Sequence, residues 1–156
     1  MKRKILSKLI EWKNKKNRKP LIVNGARQVG KTYILKEFGS HYYEKMAYVN
    51  CDKNKTLDKI FSQDYNISRI LLSLSAILHV NIEPENTLII FDEIQENPTV
   101  LNSLKYFCED ASQYHVAVAG SLLGISLHRD TSFPVGKVDM IKMYPMTFDE
   151  FLMAID

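Results

Sequence analysis

The chain of 156 residues lacks the features that mark several protein classes. It contains no apolar run that approaches the roughly 20 residues of a membrane-spanning helix, so we expect no membrane insertion. Its two cysteines, Cys51 and Cys108, stand alone without the spacing of metal ligands. In a cytosol-like sequence such cysteines are more often reduced core residues than a disulfide. We therefore expect a cytoplasmic protein.

Other recognisable signals are also missing. The amino terminus is basic, but Ser7 and Lys8 interrupt the apolar stretch 5–10, so we expect no signal peptide. There is no internal repeat and no low-complexity segment. The histidines lack metal-ligand spacing, and we interpret all four as structural or exposed: His41, His79, His115 and His128.

The composition, with 46% hydrophobic and 25% charged residues, is that of one globular domain with a core. Its charge is uneven, because residues 1–19 carry nine bases and one acid whereas the remainder carries 12 bases and 17 acids. This basic arm, residues 1–19, could contact nucleic acid, but Trp12 is the only aromatic residue among its basic residues. We favour the solvated face of an amphipathic helix, followed by a basic linker. Its apolar stripe comprises Ile5, Leu6, Leu9, Ile10 and Trp12.

The most specific signal is a match to G-x-x-x-x-G-K-[ST], the phosphate-binding P-loop. The loop comprises Gly25, Ala26, Arg27, Gln28, Val29, Gly30, Lys31 and Thr32. Its glycines allow the backbone to curl N–H groups around an anion. We expect Lys31 to reach the β- and γ-phosphates and the Thr32 hydroxyl to ligate Mg²⁺. A predicted strand precedes the loop at 20–24, and a helix predicted over 31–38, with Gly39 at its end, would place the phosphates on a helix N-terminus.

A second motif resembles Walker B, because an apolar strand predicted over 87–91 ends in two acids. The carboxyl end of such a strand faces the crevice where open α/β sheets bind ligands. There Asp92 is predicted to hold the Mg²⁺ together with Thr32. Glu93 is predicted to orient and deprotonate the attacking water.

Several further residues have two interpretations each. Ser121, at the end of a predicted strand, is a candidate to sense the γ-phosphate or orient the water, or is an ordinary cap. Gln95 either holds water or caps a turn. Arg129 and Lys137 are candidates for a charge-stabilising finger, with a surface-loop role equally open to each.

The remaining pattern alternates strands with helices, which predicts a parallel α/β sheet with right-handed crossovers. Further strands are predicted over 45–50, 115–119 and 138–143. One helix is predicted over 67–80, another begins at Asn97-Pro98, and a single helical turn is predicted over 122–127. The stretch 52–66 is predicted to be irregular, with one helical turn. A capping box, Thr147 to Glu150, starts another helix. We divide the chain into the amino-terminal helix and linker (1–19), a P-loop core (20–146) and the start of a lid or following domain (147–156).

These strings together resemble a prokaryotic AAA+ superfamily ATPase, and more narrowly the AAA-domain proteins whose C-terminal half is a domain of unknown function. The resemblance is carried by residues 19–32, 91–96, 119–121 and 144–151. It implies a P-loop NTPase three-layer sandwich with strand order 5-1-4-3-2, ATP rather than GTP, and Glu93 as the catalytic glutamate. Many relatives have Gly-Arg where this chain has Gly136-Lys137. Members of that family also continue well past the last residue of this chain. We therefore expect the chain to be an N-terminal fragment that hydrolyses ATP poorly by itself.

We therefore expect Mg²⁺-dependent ATP hydrolysis. The alternative is a nucleotide-gated regulatory or binding module with slow turnover, acting on a protein or nucleic-acid partner. A P-loop kinase is disfavoured because the extra acid, Glu93, follows Asp92. A homo-oligomer or a protein partner remains open, and nucleic-acid contact through the basic arm is not favoured.

Overall fold

The computed structural model describes residues 4–121 and 134–155. Its elements are, in chain order, α1 (Lys4–Lys13), β1 (Leu21–Gly25), α2 (Lys31–Tyr42), β2 (Lys45–Asn50), α3 (Lys55–Gln63), α4 (Ile67–Leu78), β3 (Thr87–Asp92), a 3₁₀ turn (Ile94–Glu96), α5 (Pro98–Asp110), β4 (His115–Gly120), β5 (Asp139–Met143) and α6 (Phe148–Ile155).

The strands form one sheet of order β2-β3-β4-β1-β5, and every neighbouring pair is parallel. Read from the other edge, this is the predicted order 5-1-4-3-2, so the predicted α/β fold class is confirmed. β1 lies between β4 and β5, with Ile22 opposite Val118 and Met140. Because all strands run the same way, the carboxyl ends of β1, β4 and β3 meet at one edge of the sheet.

The sheet is covered on both faces, which makes three layers. Alternate strand residues point to opposite sides, so Leu21 and Val23 pack with α1 and α2 while Ile22 packs with α3, α4 and α5. β1, β3 and β4 are buried along their whole length. Their uninterrupted apolar sequences follow from this double covering.

The apolar stripe of α1 is a packing surface. Ile5, Leu9 and Trp12 are buried in the core layer shared with α2. The Trp12 indole N–H donates to the Lys19 carbonyl at 2.8 Å, which fixes the linker that leads into β1. Lys15 pairs with Asp139 at 3.1 Å. The amino-terminal segment is therefore docked on the sheet through its apolar face, and much of its basic charge faces solvent.

Two predicted elements were wrong in extent. α2 runs to Tyr42, and Gly39 lies inside it, where an added Cβ would be 2.4 Å from the Met46 sulfur. That glycine marks a close approach to β2 instead of a helix end. The stretch predicted to be irregular contains all of α3, whose N-cap Asn54 accepts a hydrogen bond from the Leu57 N–H at 3.0 Å.

Other predicted features are present. Thr147 and Glu150 make the capping box, with the Thr147 N–H donating to Glu150 Oε2 at 2.9 Å. Cys51 and Cys108 are free thiols, and Cys51 is buried. No helix within the described ranges is long and apolar enough to cross a membrane. The helical turn predicted over 122–127 lies outside the described residues.

Candidate nucleotide-binding site

The loop between β1 and α2 is wound by two left-handed residues. Gln28 has φ 62° and Gly30, at the start of α2, has φ 94°. Left-handed residues turn successive N–H groups toward one side and make a concave anion site. Gly25 serves a different purpose from the predicted curl, because a Cβ there would lie 2.4 Å from the Met143 carbonyl oxygen. Its small size lets β5 pass against the base of the loop.

The predicted phosphate-binding lysine lies over this loop. Lys31 Nζ donates to the carbonyl oxygens of Gly25 at 2.7 Å and Ala26 at 2.6 Å. Partial burial lowers the pKa of Lys31, and the negative charges of Glu93 and Asp92 oppose that shift. The ammonium group is therefore placed between the loop and the two acids at the end of β3.

The two predicted metal ligands are in direct contact. The Thr32 hydroxyl donates to Asp92 Oδ2 at 2.6 Å, and this bond joins the first turn of α2 to the end of β3. The Tyr48 hydroxyl, from β2, donates to the same oxygen at 2.6 Å. Burial and this hydrogen bond raise the pKa of Tyr48, so the hydroxyl stays protonated and keeps donating. Tyr48 was not among the predicted site residues, because no local sequence pattern reports a contact between neighbouring strands.

Glu93 follows directly, in a left-handed conformation with φ 53°. Its N–H donates to Asp92 Oδ1 at 2.9 Å. The side chain lines a cleft of about 550 Å³, and Lys31, Thr32 and Ser121 line the same cleft. The adjacent ends of β1, β3 and β4 thus bring together the residues predicted to act on the phosphates, the metal and the water: Lys31, Thr32, Asp92, Glu93 and Ser121.

The donor set at this cleft fits Mg²⁺. A hydroxyl and a carboxylate are hard oxygen ligands, and Thr32 and Asp92 hold theirs 2.6 Å apart. No group of three or more acidic, cysteine or histidine side chains that could hold a metal ion occurs in the part of the chain that the structure describes. Magnesium in phosphate-transfer sites is commonly bound by one or two protein oxygens plus substrate phosphates and water. Two protein ligands are therefore sufficient here.

An apolar hollow of about 360 Å³ lies on the other side of the loop. Val29, Tyr33 and Ile34 come from the loop and α2, and Met143 and Met146 come from the end of β5 and the segment after it. The hollow adjoins Gly30, where the left-handed turn is made. A flat apolar group attached to phosphates in the loop would have room there.

Of the two finger candidates, only Lys137 is among the described residues. Lys137 pairs with Glu109 at 3.3 Å, on α5, and does not line the cleft. Arg129 lies outside the described residues. The structure therefore offers no support for Lys137 as a charge-stabilising group, because its ammonium is engaged on a surface helix.

A family model described as an AAA domain matches residues 17–152. The chain belongs to this AAA domain family. It carries the loop, the sheet order and the acidic strand end of the P-loop, AAA-type ATPase class.

Among solved structures, this AAA domain is similar to unliganded Pif1 from Bacteroides sp., with a TM-score of 0.50 and 14% sequence identity. The similarity covers 99% of this chain and 45% of that chain. This chain thus spans less than half the length of that protein. At such low identity the likeness concerns the fold. No curated protein matches the chain.

Proposed function

We propose that this AAA domain binds Mg²⁺·ATP and hydrolyses it. The observation that carries the proposal is the 2.6 Å bond between Thr32 and Asp92, with Glu93 next in the chain. It joins the phosphate-binding loop to the acidic end of β3, so one ligand can touch both. We also propose that residues 20–146 form the catalytic core, with 1–19 docked on it and 147–156 beginning a separate element.

Each residue has a chemical role in this proposal. The loop N–H groups and the amino terminus of α2 bind the phosphates. Lys31 leaves the carbonyl oxygens of Gly25 and Ala26 and donates to the β- and γ-phosphate oxygens instead. Thr32 and Asp92 would hold Mg²⁺, which would supply positive charge to stabilise the phosphates.

Glu93 takes the proton from the attacking water. The water oxygen forms the new bond to the γ-phosphorus, the bond from that phosphorus to the bridging oxygen breaks, and ADP leaves with phosphate. Phosphoryl transfer depends mostly on positioning and charge, so a fixed arrangement of these groups is what the protein contributes. We assign the sensing of the γ-phosphate to Ser121, which follows β4 and lines the same cleft.

The apolar hollow supports a purine nucleotide, and we propose ATP because the chain belongs to the AAA domain family. A purine base attached to phosphates in the loop would lie against Val29, Tyr33 and Ile34. Among the lining side chains Gln28 carries an amide and Tyr33 a hydroxyl, so contact with the base is mainly apolar.

The test replaces Glu93 by Gln and measures nucleotide affinity and turnover separately. We expect unchanged affinity for Mg²⁺·ATP and turnover reduced by about 100-fold or more, the usual scale for a lost general base. The matched control is Glu44→Gln, an exposed glutamate on another part of the surface. Equal turnover in wild type and Glu93→Gln would favour the slow, nucleotide-gated module instead.

A further inference from the structure

Gln95 lies in the wall of the cleft, on the 3₁₀ turn that follows Glu93. Only 5% of its surface is exposed, although glutamine is mostly a surface residue. Its side-chain Nε2 donates to Glu93 Oε2. Its Oε1 is buried and has no hydrogen-bond partner among the described residues. A buried amide with an unpaired oxygen is costly, so its retention calls for a reason.

The orientation of this amide is determined by its partner. The ionised carboxylate of Glu93 only accepts hydrogen bonds, so the NH₂ end of Gln95 must face it. Oε1 then faces the end of β4. An added Cβ on Gly120 would lie 2.9 Å from that oxygen and 2.6 Å from Ile94 Cγ2. Gly120 therefore provides the space that the Gln95 side chain occupies.

Glu93 needs such a partner. Its backbone is in the left-handed region, which non-glycine residues rarely occupy, and its own N–H is used by Asp92. The backbone therefore fixes the position at which the Glu93 side chain begins. A further contact must fix the orientation of its carboxylate. The bond from Gln95 engages one carboxylate oxygen, Oε2, and leaves Oε1 to accept the proton from water.

We propose that Gln95 is a positioning residue that holds the Glu93 carboxylate in the orientation required to accept the proton of the attacking water. This inference rests on the proposed function, because it assigns a role within ATP hydrolysis. Gln95 acts on the reaction through its hydrogen bond to Glu93. A purely structural role, in which the amide only caps the turn, is the competing explanation.

The test is a double-mutant cycle on ATP turnover. Gln95→Met keeps the length of the side chain and removes the donor. We expect its kcat to fall by about 10- to 100-fold, the range for a hydrogen bond to a charged group, with unchanged affinity for Mg²⁺·ATP. In the Glu93→Gln background the same change should alter kcat less than about twofold, because the group that Gln95 positions is already lost. Gln63→Met, at an exposed position on α3, is the matched control.

A second variant covers the case in which Gln95→Met does not fold. Gln95→Asn keeps a buried amide but shortens it by one carbon, so the donor no longer reaches Glu93, and the same loss of kcat is expected. Unchanged kcat in either folded variant, or equal losses in the wild-type and Glu93→Gln backgrounds, would overturn the inference. A wild type that binds ATP without hydrolysing it would instead overturn the proposed function, which distinguishes the two failures.

Discussion

His115, at the start of β4, makes stability depend on pH. The side chain is 4% exposed, and its Nδ1 is 2.7 Å from the Tyr43 hydroxyl. Trp12 packs edge-on against the ring, with the centroids 6.0 Å apart. Burial, the largest cause, and the positive charges of Arg18 and Lys13 together lower the pKa of His115 from 6.5 to about 4. The folded protein therefore holds His115 neutral at every pH above about 4.

The sign and size of the effect follow from this difference. The unfolded chain takes up a proton at His115 near pH 6.5, whereas the folded protein does so only near pH 4. The stabilisation is thus complete above pH 6.5 and is lost as the pH falls toward 4. Since each pH unit in that window is worth about 1.4 kcal/mol, the full loss is about 3 kcal/mol. Between pH 6.5 and 5, about 2 kcal/mol should disappear.

Urea unfolding of wild type and His115→Gln at pH 7.5, 6.5 and 5 measures this loss. Glutamine keeps an acceptor for the Tyr43 hydroxyl and does not titrate, so it is the matched comparison. We expect the unfolding free energy of the wild type to fall by about 2 kcal/mol more than that of the variant between pH 6.5 and 5. Parallel curves for the two proteins would refute the reasoning, because the pH dependence would then come from other groups.

Two further predictions concern packing. Gly25→Ala should lower the unfolding free energy by about 2 kcal/mol, because its Cβ would meet the Met143 carbonyl oxygen at 2.4 Å; unchanged urea midpoints would show that β5 shifts freely. Leu9→Asp should unfold or aggregate the protein, because it buries a charge without a partner. Replacing Lys13, Lys15 and Lys16 by Ser should instead change the unfolding free energy by less than about 1 kcal/mol. Salt-sensitive DNA or RNA binding that vanishes in the triple variant would contradict a structural role for this segment.

Local patterns were sufficient to predict the strands, and the family resemblance supplied their order in the sheet. The buried strands are short apolar runs between turn residues, and each P-loop or Walker B residue has its role tied to a strand end. The carboxyl ends of parallel strands must meet, so the proximity of Thr32 and Asp92 followed from the predicted strand order.

The errors came from residues with more than one structural use. Gly39 was interpreted as a helix end, but it lies inside α2. Met46 packs so close to this residue that a side chain would not fit. α3 was predicted as only one helical turn because its sequence is polar, although Asn54 as cap and the spacing of Leu57, Ile60 and Phe61 form a helix signal.

Contacts within the site were the least predictable part. Tyr48 reaches Asp92 from a neighbouring strand, and the position of Gln95 depends on the space left by Gly120. Such contacts depend on strand register and on side-chain packing between elements, which a one-dimensional pattern does not record.

Whether Lys31 is needed for nucleotide binding is the most direct test of the account. Thermal unfolding of wild type, Lys31→Ala and the control Lys59→Ala, an exposed lysine on α3, should be recorded with and without Mg²⁺·ATP. At 100 times the dissociation constant, binding adds about 2.7 kcal/mol, or roughly 5 to 10 °C for a chain of this size. We predict that shift for wild type and Lys59→Ala and no shift for Lys31→Ala. Equal shifts in all three proteins, or no shift in any of them, would contradict the assignment of this loop as the nucleotide site.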